Sequence, residues 1–297
     1  MNPREKGFLL LSSQLGDPDR RPLTTAQLRV LADRAWQLDL DDADRCLNQQ
    51  DLMKLGYRAD MAQRILRLLE DEEILDHYVR RGAKYGCAPI TRVSEGYPMR
   101  MRRALGLDSP GILWAKGDLS LLGKPCVSLV GSRDLLDENR EFAAEVGRQA
   151  ARQGFVLVSG NARGADRTAQ EACLRAGGEV ISVVADELAK QTPEERILYL
   201  SEDSFDLEFT AQRAISRNRV IHAISDRVFV AQCSYQTGGT WDGTVKNLRF
   251  GWSRVSCFGD GSKTVTQLEQ MGAEIVGMRQ LTDLSAAAEK EITLFDQ

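Results

Sequence analysis

From Lys124 onward the chain keeps one rhythm: a short apolar run, a longer mixed stretch, a glycine, then the next apolar run. The runs Cys126–Val130, Val156–Ser159, Val180–Val184 and Val228–Ala231 are short, β-branched and nearly all apolar. That is the composition of strands buried on both faces, and such strands pair in parallel. Gly154, Gly177-Gly178, Gly251 and Gly272 stand just before Phe155–Ser159, Glu179–Val184, Val255–Phe258 and Glu274–Gly277. Glycine there ends a helix, because it takes the left-handed conformation without steric cost. Parallel strands joined by right-handed helical crossovers wind into a doubly wound, mostly parallel Rossmann-like α/β sheet. That fold class is expected for residues 118–297.

Residues 1–117 read as a mostly helical N-terminal domain. Leu28, Leu31, Ala35 and Leu38 form one apolar stripe, and Met61, Ile65, Leu68 and Leu69 form another in the stretch Ala59–Arg81. A strand-like piece, Cys87–Thr91, follows. Then come Tyr97-Pro98, the basic run Arg100–Arg103 and the segment Gly111–Asp118. This half is open to two uses, as a docking module for a partner protein or as an extension of a ligand path.

Bulk properties narrow the function classes. The net charge is −4, from 39 basic and 43 acidic residues. That argues against an all-over basic coat but leaves room for a local basic groove, since binding follows the local field. The early apolar run Phe8–Leu11 is too short for a signal peptide and nothing approaches a membrane span, so no membrane association and a cytoplasmic location are expected. The six cysteines are scattered without a Cys-x-x-Cys and read as reduced core thiols. With two histidines, His77 and His222, the chain is poor material for a histidine metal site or a Ser-His triad. No metal and no cofactor are expected.

Three segments carry the chemistry. The first is Val130-Gly131-Ser132-Arg133, at the end of the first strand. Gly131 lets backbone approach a phosphate, and Ser132 and Arg133 donate to it. The alternative is a tight turn with a surface arginine. Asp137 is the expected N-cap of the next helix. The second segment runs from Ser159 and Gly160 through Arg163 and Gly164 to Asp166, and opens a helix near Ala165. Asp166 is read as a cap, or as the holder of an arginine. The third, with Arg213, Arg217, Asn218 and Arg219, lies on a candidate helix Ala211–Ile224, where Arg217 and Arg219 diverge. Gly238, Gly239 and Thr240 add a further glycine turn to the same edge, and Trp241 is either a base-stacking ring or a core residue. Strand ends of an open α/β sheet converge at its carboxyl edge, so these segments point to a ligand with phosphates. The spacing is neither Gly-x-Gly-x-x-Gly nor Walker A.

Together these residues resemble the DNA-processing protein A (DprA/Smf) family. The resemblance also includes Pro110–Gly117 and the pair Ser225-Asp226, and runs from about Leu28 to Val276. It implies a helical domain before an extended Rossmann domain, single-stranded DNA as ligand, a homodimer, and loading of a RecA-type recombinase during natural transformation. By position it marks Gly131, Ser132, Arg133, Gly160, Arg163, Arg217 and Arg219 as DNA contacts. The chain departs from the family pattern at Ala169-Gln170 and at Thr237–Gly243, and too few residues follow the last strand for the C-terminal winged helix of some members.

The Gly238-Gly239-Thr240 turn is also similar to that of the lysine-decarboxylase-like phosphoribohydrolases. There Asp242 would stand near a catalytic glutamate, beside an oxocarbenium-like transition state. Asp242 is thus the catalytic candidate, and a nucleotide sensor or nucleoside-monophosphate phosphoribohydrolase is the alternative to a DNA-binding protein.

Overall fold

The computed structural model describes residues 1–35, 47–202 and 204–285. Among the described residues, five helices come first: α1 (Pro3–Ser12), α2 (Thr25–Ala35), α3 (Gln49–Lys54), α4 (Ala59–Glu70) and α5 (Glu72–Lys84). Leu31, Leu52, Ala62, Ile65 and Leu68 bury their stripes against one another. Leu38 of the expected stripe lies outside the described residues. The apolar stretch from Ala59 to Arg81 is two helices, not one, with the break at Asp71.

The rest alternates as the rhythm predicts: β1 (Ala88–Thr91), α6 (Met99–Leu105), β2 (Ile112–Lys116), β3 (Cys126–Val130), α7 (Asp137–Arg152), β4 (Val156–Ser159), α8 (Ala165–Arg175), β5 (Val180–Val183), β6 (Ile197–Glu202), α9 (Ala211–Ser216), α10 (Asn218–Ile224), β7 (Arg227–Val230), α11 (Gly238–Phe250), β8 (Arg254–Phe258), α12 (Lys263–Gln270) and β9 (Glu274–Val276). The sheet order is β1-β2-β6-β5-β4-β3-β7-β8-β9. From β6 to β9 every pairing is parallel, while β1 and β2 add antiparallel to the β6 edge. The strands before residue 117 therefore extend the same sheet as those after it. The chain reverses its direction of travel between β3 and β7, and such a switch point is where open α/β sheets leave a crevice.

Strand alternation divides the core between the two faces. Val127, Leu129, Leu157 and Phe229 pack with Phe142 and Val146 of α7 and Ala169 of α8. Val130, Val158, Ile181 and Val228 pack with Val220 and Ile221 of α10 and Leu268 of α12. The glycine stops behave as expected: Gly154, Gly177, Gly251 and Gly272 all have positive φ. Trp114 of β2, fully buried, meets Tyr78 and Phe205 at ring distances of 5.4 and 4.7 Å and so ties α5 to the sheet edge. The five described cysteines are free. Burial pushes the Cys126, Cys173 and Cys233 thiols up to about 12, which keeps them protonated. Among the described residues, no helix is long and apolar enough to cross a membrane.

Candidate nucleic-acid interface

At the carboxyl edge between β3 and β7 lies a cleft of ≈ 490 Å³. One wall is the end of β3 with its loop, Val130 to Arg133; the other holds Phe209, Ile215 and Arg217, and the first turn of α11, Gly238 to Thr240, closes the end. A second cleft of ≈ 310 Å³ adjoins it, lined by Gly160, Asn161, Arg163, Arg167, Asp186 and Gln191 among others. Arg133, Ala162, Phe209, Ala214 and Arg217 border both.

The glycines build the sheet-side wall by letting backbones touch. Gly164 has φ +89°, and a Cβ on it would stand 2.3 Å from the carbonyl oxygen of Arg133. A Cβ on Gly131 would stand 2.5 Å from Cβ of Ala165. Gly131 is thus needed for packing against α8, whatever it does for a ligand. The Ser132 N–H donates to the Gln232 carbonyl (2.9 Å), which leaves the Ser132 hydroxyl as its group for a ligand. Thr240 Oγ1 donates to the Gly131 carbonyl (3.1 Å) and links α11 to this wall.

Asp166 does not cap its own helix. It lies in the first turn of α8 and reaches back, accepting from the N–H groups of Gly160 (3.1 Å) and Ala162 (3.2 Å). Burial pushes its carboxyl up, against the pull of Arg217 and those two N–H groups. Asp137 is likewise inside α7 rather than its N-cap, which is Leu136. An acid in a first turn still suits the helix dipole.

Arg217 interrupts the expected helix Ala211–Ile224, standing between α9 and α10. It is 8% exposed and borders both clefts. Its Nη1 donates to the Val183 carbonyl at 2.7 Å, while the buried Nε has no protein partner. Gly160 makes room for it: a Cβ there would fall 1.6 Å from Nη1. Burial draws the guanidinium below its ordinary value, opposed by Asp166 and Asp186. Arg133 is exposed, and among the described residues no hydrogen bond or ion pair holds it.

Other expected ligand groups are placed differently. Arg219 lines neither cleft; one helical step pair from Arg217, it turns to Glu202 at the end of β6 and pairs with it at 2.7 Å. Asn218 donates to the Gly239 carbonyl (3.0 Å) and anchors the first turn of α11. Ser159 is fully buried and accepts from Gln170 (2.6 Å). Arg163 borders the second cleft and pairs with Asp134 at 2.8 Å in full solvent. Arg213 binds the carbonyls of Ala185, Leu207 and Glu208 and so staples the segment before α9. Trp241 is half-buried against the second core face. Asp242 lines neither cleft and pairs with Lys246 (2.8 Å), one helical turn on. Arg100, of the basic run, pairs with Asp226 at 2.6 Å.

Residues that the sequence did not single out are Phe209, which is 54% exposed, and Arg167, Asp186 and Gln191 of the second cleft. No motif marks them. Phe209 is the last of three apolar residues that alternate with polar ones in Ser204–Thr210, and that pattern does not separate it from the fully buried Phe205.

Comparison with known proteins agrees with this architecture. Over 164 residues the chain is 29% identical to the DNA processing protein DprA of Bacillus subtilis, an alignment covering 52% of this chain and 54% of that protein. Over 141 residues it is 32% identical to DprA of Streptococcus pneumoniae, covering 44% and 50%. The chain thus spans about half the length of the relatives it matches. The X-ray structure of the Streptococcus pneumoniae protein superposes with a TM-score of 0.69 at 23% identity, over 93% of this chain and 95% of that one. DNA processing protein A of Helicobacter pylori, whose structure concerns its single-stranded DNA binding mode, superposes with a TM-score of 0.55 at 22% identity, over 66% and 94%. The profile of the DNA recombination-mediator protein A family matches residues 88–246, from β1 to within α11 and so across the whole cleft. The chain belongs to that family.

Proposed function

We propose that this chain binds single-stranded DNA at the carboxyl edge of its sheet, with backbone phosphate held between Arg133 and Arg217. The observation that carries this reading is Arg217: a nearly buried guanidinium whose Nε has no protein partner, at the junction of two clefts. Burial outweighs Asp166 and Asp186 at this guanidinium, so a further anion in the cleft lowers the cost of keeping it charged there. An exposed second arginine, Arg133, stands on the same rim. The apolar residues of the opposite wall suit bases rather than a bare inorganic anion. Phosphate contacts of this kind position a strand without reading its sequence. Family membership supports a role in DNA processing, uptake or recombination in the cytoplasm, with a RecA-type recombinase and a second copy of the chain as partners.

The test is fluorescence anisotropy of a labelled oligo-dT at two salt concentrations. Wild type is expected to bind, and to weaken steeply with salt as counterions are released. Arg217→Met lowers the affinity by about ten-fold or more, since it removes a charge-assisted contact. Circular dichroism of the variant at the assay temperature is the control, and is expected to match wild type. Salt-insensitive binding, or full affinity in Arg217→Met, overturns the reading.

A further inference from the structure

The two clefts share one border, and that border holds both arginines. Arg133 and Arg217 face the ≈ 490 Å³ cleft on one side and the ≈ 310 Å³ cleft on the other. Phe209, over half exposed, stands on the same divide. Each volume lies in the range of small-molecule pockets. The far cleft has a different chemistry from the divide. Its wall includes Asp186, an exposed carboxylate that accepts from Gln191 at 3.2 Å. Asp186 stands there against Arg163, which Asp134 already pairs, and Arg167, so what distinguishes the divide is that its two arginines are common to both clefts and fix one shared position for an anion.

We infer that the site is built for a dinucleotide step: one phosphodiester sits at the divide on Arg133 and Arg217, and the two nucleosides it joins occupy one cleft each, with Phe209 as the partition between their bases. This rests on the single-stranded DNA reading and adds a second subsite to it. The step size follows from the geometry. Arginines shared by two pockets put one charge at the divide with a pocket on either side of it, which is the pattern of a phosphodiester and not of a free mononucleotide. An aromatic ring at the partition gives either base a face to stack on.

The methyl ester of thymidine 5′-monophosphate, called the monophosphate below, and d(TpT) each carry one singly charged phosphodiester, so the difference between them isolates the second nucleoside. Calorimetric titration is expected to show d(TpT) binding about ten-fold tighter or more, the worth of one stacked base. Gln191→Trp, which fills the far cleft from its half-buried rim, is expected to bring d(TpT) down to the monophosphate level and leave the monophosphate unchanged. Equal affinity of the two ligands in wild type overturns the inference, as does an advantage for d(TpT) that survives in Gln191→Trp. A long oligo-dT that binds with no such step removes the second subsite alone. Failure of all three ligands removes the single-stranded DNA reading with it.

Discussion

The two long walls of the cleft are made in opposite ways. On the sheet side, the loops after β3 and β4 are locked into each other. Gly164 lies against the carbonyls of Ser132 and Arg133, Gly131 against Ala165, and the Asp166 carboxylate gathers the N–H groups of Gly160 and Ala162. On the helix side, Phe209 and Ile215 are exposed, and a Cβ on Gly238 would meet nothing within 4 Å. The locked wall carries Arg133 and, through the space left at Gly160, fixes where Arg217 of the opposite wall stands; that opposite wall otherwise offers apolar surface with room around it. Precise placement of an anion needs the first, and accommodation of any base needs the second.

The largest effect should come from breaking the lock. Gly164→Val forces a branched side chain into a left-handed position and onto a neighbouring carbonyl. It should cost about 3 kcal/mol or more, or prevent folding. Gly238 also has positive φ but open space around it, so Gly238→Ala should cost only about 1 kcal/mol. Urea midpoints of the two variants decide the matter. Equal midpoints would mean that the sheet-side wall is no more constrained than the other.

The next effect separates the walls by pH. His222 of α10 lines the cleft and is fully buried. Asn247 Oδ1 accepts from the Ser253 N–H (2.9 Å), so the amide NH₂ donates to His222 Nδ1 (3.0 Å). Burial pulls the ring down to about 4. The unfolded chain takes up that proton near pH 6.5, the folded chain only near 4. His222 therefore costs nothing above pH 6.5, and stability falls as pH drops from 6.5 towards 4, by about 3 kcal/mol in all. Asp166 on the sheet-side wall has a raised carboxyl and acts with the opposite sign, losing stability as pH rises above the ordinary carboxylate range. The slope of stability between pH 6.5 and 4 should flatten in His222→Phe. An unchanged slope would show that the helix-side wall is not its source.

The sheet-side wall was largely legible in the sequence and the helix-side wall was not, for a physical reason. The glycines of Gly131-Ser132-Arg133 and Gly160 to Gly164 are constrained by contacts among neighbouring strand ends, which strand order alone brings together. Short apolar strands and left-handed glycine stops are local signals, so the parallel sheet could be read directly. What decides Arg217 from Arg219 is long-range: Gly160 and Val183 receive the one, Glu202 the other. No spacing in Arg217-Asn218-Arg219 reveals that. The dual use of Asp166, inside a helix yet bonded to the loop before it, is hidden in the same way. Asp242 illustrates the converse. Its place after a glycine turn suggested chemistry, but on α11 it faces Lys246 and not the cleft.

On the apolar side, Phe209→Ala should weaken oligo-dT by about 1–3 kcal/mol, the worth of one stacked base. A side chain this exposed contributes little to the core, so the unfolding free energy from urea titration should stay within about 0.5 kcal/mol of wild type. Phe209→Trp should keep the affinity. If Phe209→Ala binds as wild type does, the helix-side wall supplies shape without contact.

The smallest difference expected is between two arginines of the charged wall. Arg133 has no partner among the described residues, whereas Arg163 spends its charge on Asp134, both side chains standing in solvent. Exposed pairs of that kind are worth less than about 1 kcal/mol and are screened by salt. Arg133→Ala should therefore reduce the slope of log affinity against log salt by about one phosphate contact. Arg163→Ala should change affinity by about 0.5 kcal/mol or less, because the contact it loses is already compensated by Asp134. Measuring both slopes over the same salt range sets the extent of the anion site. A full unit lost in Arg163→Ala would move the strand outward onto the rim of the second cleft. No change in Arg133→Ala would leave Arg217 as the sole anchor, and the sheet-side wall as a support for it rather than a contact surface.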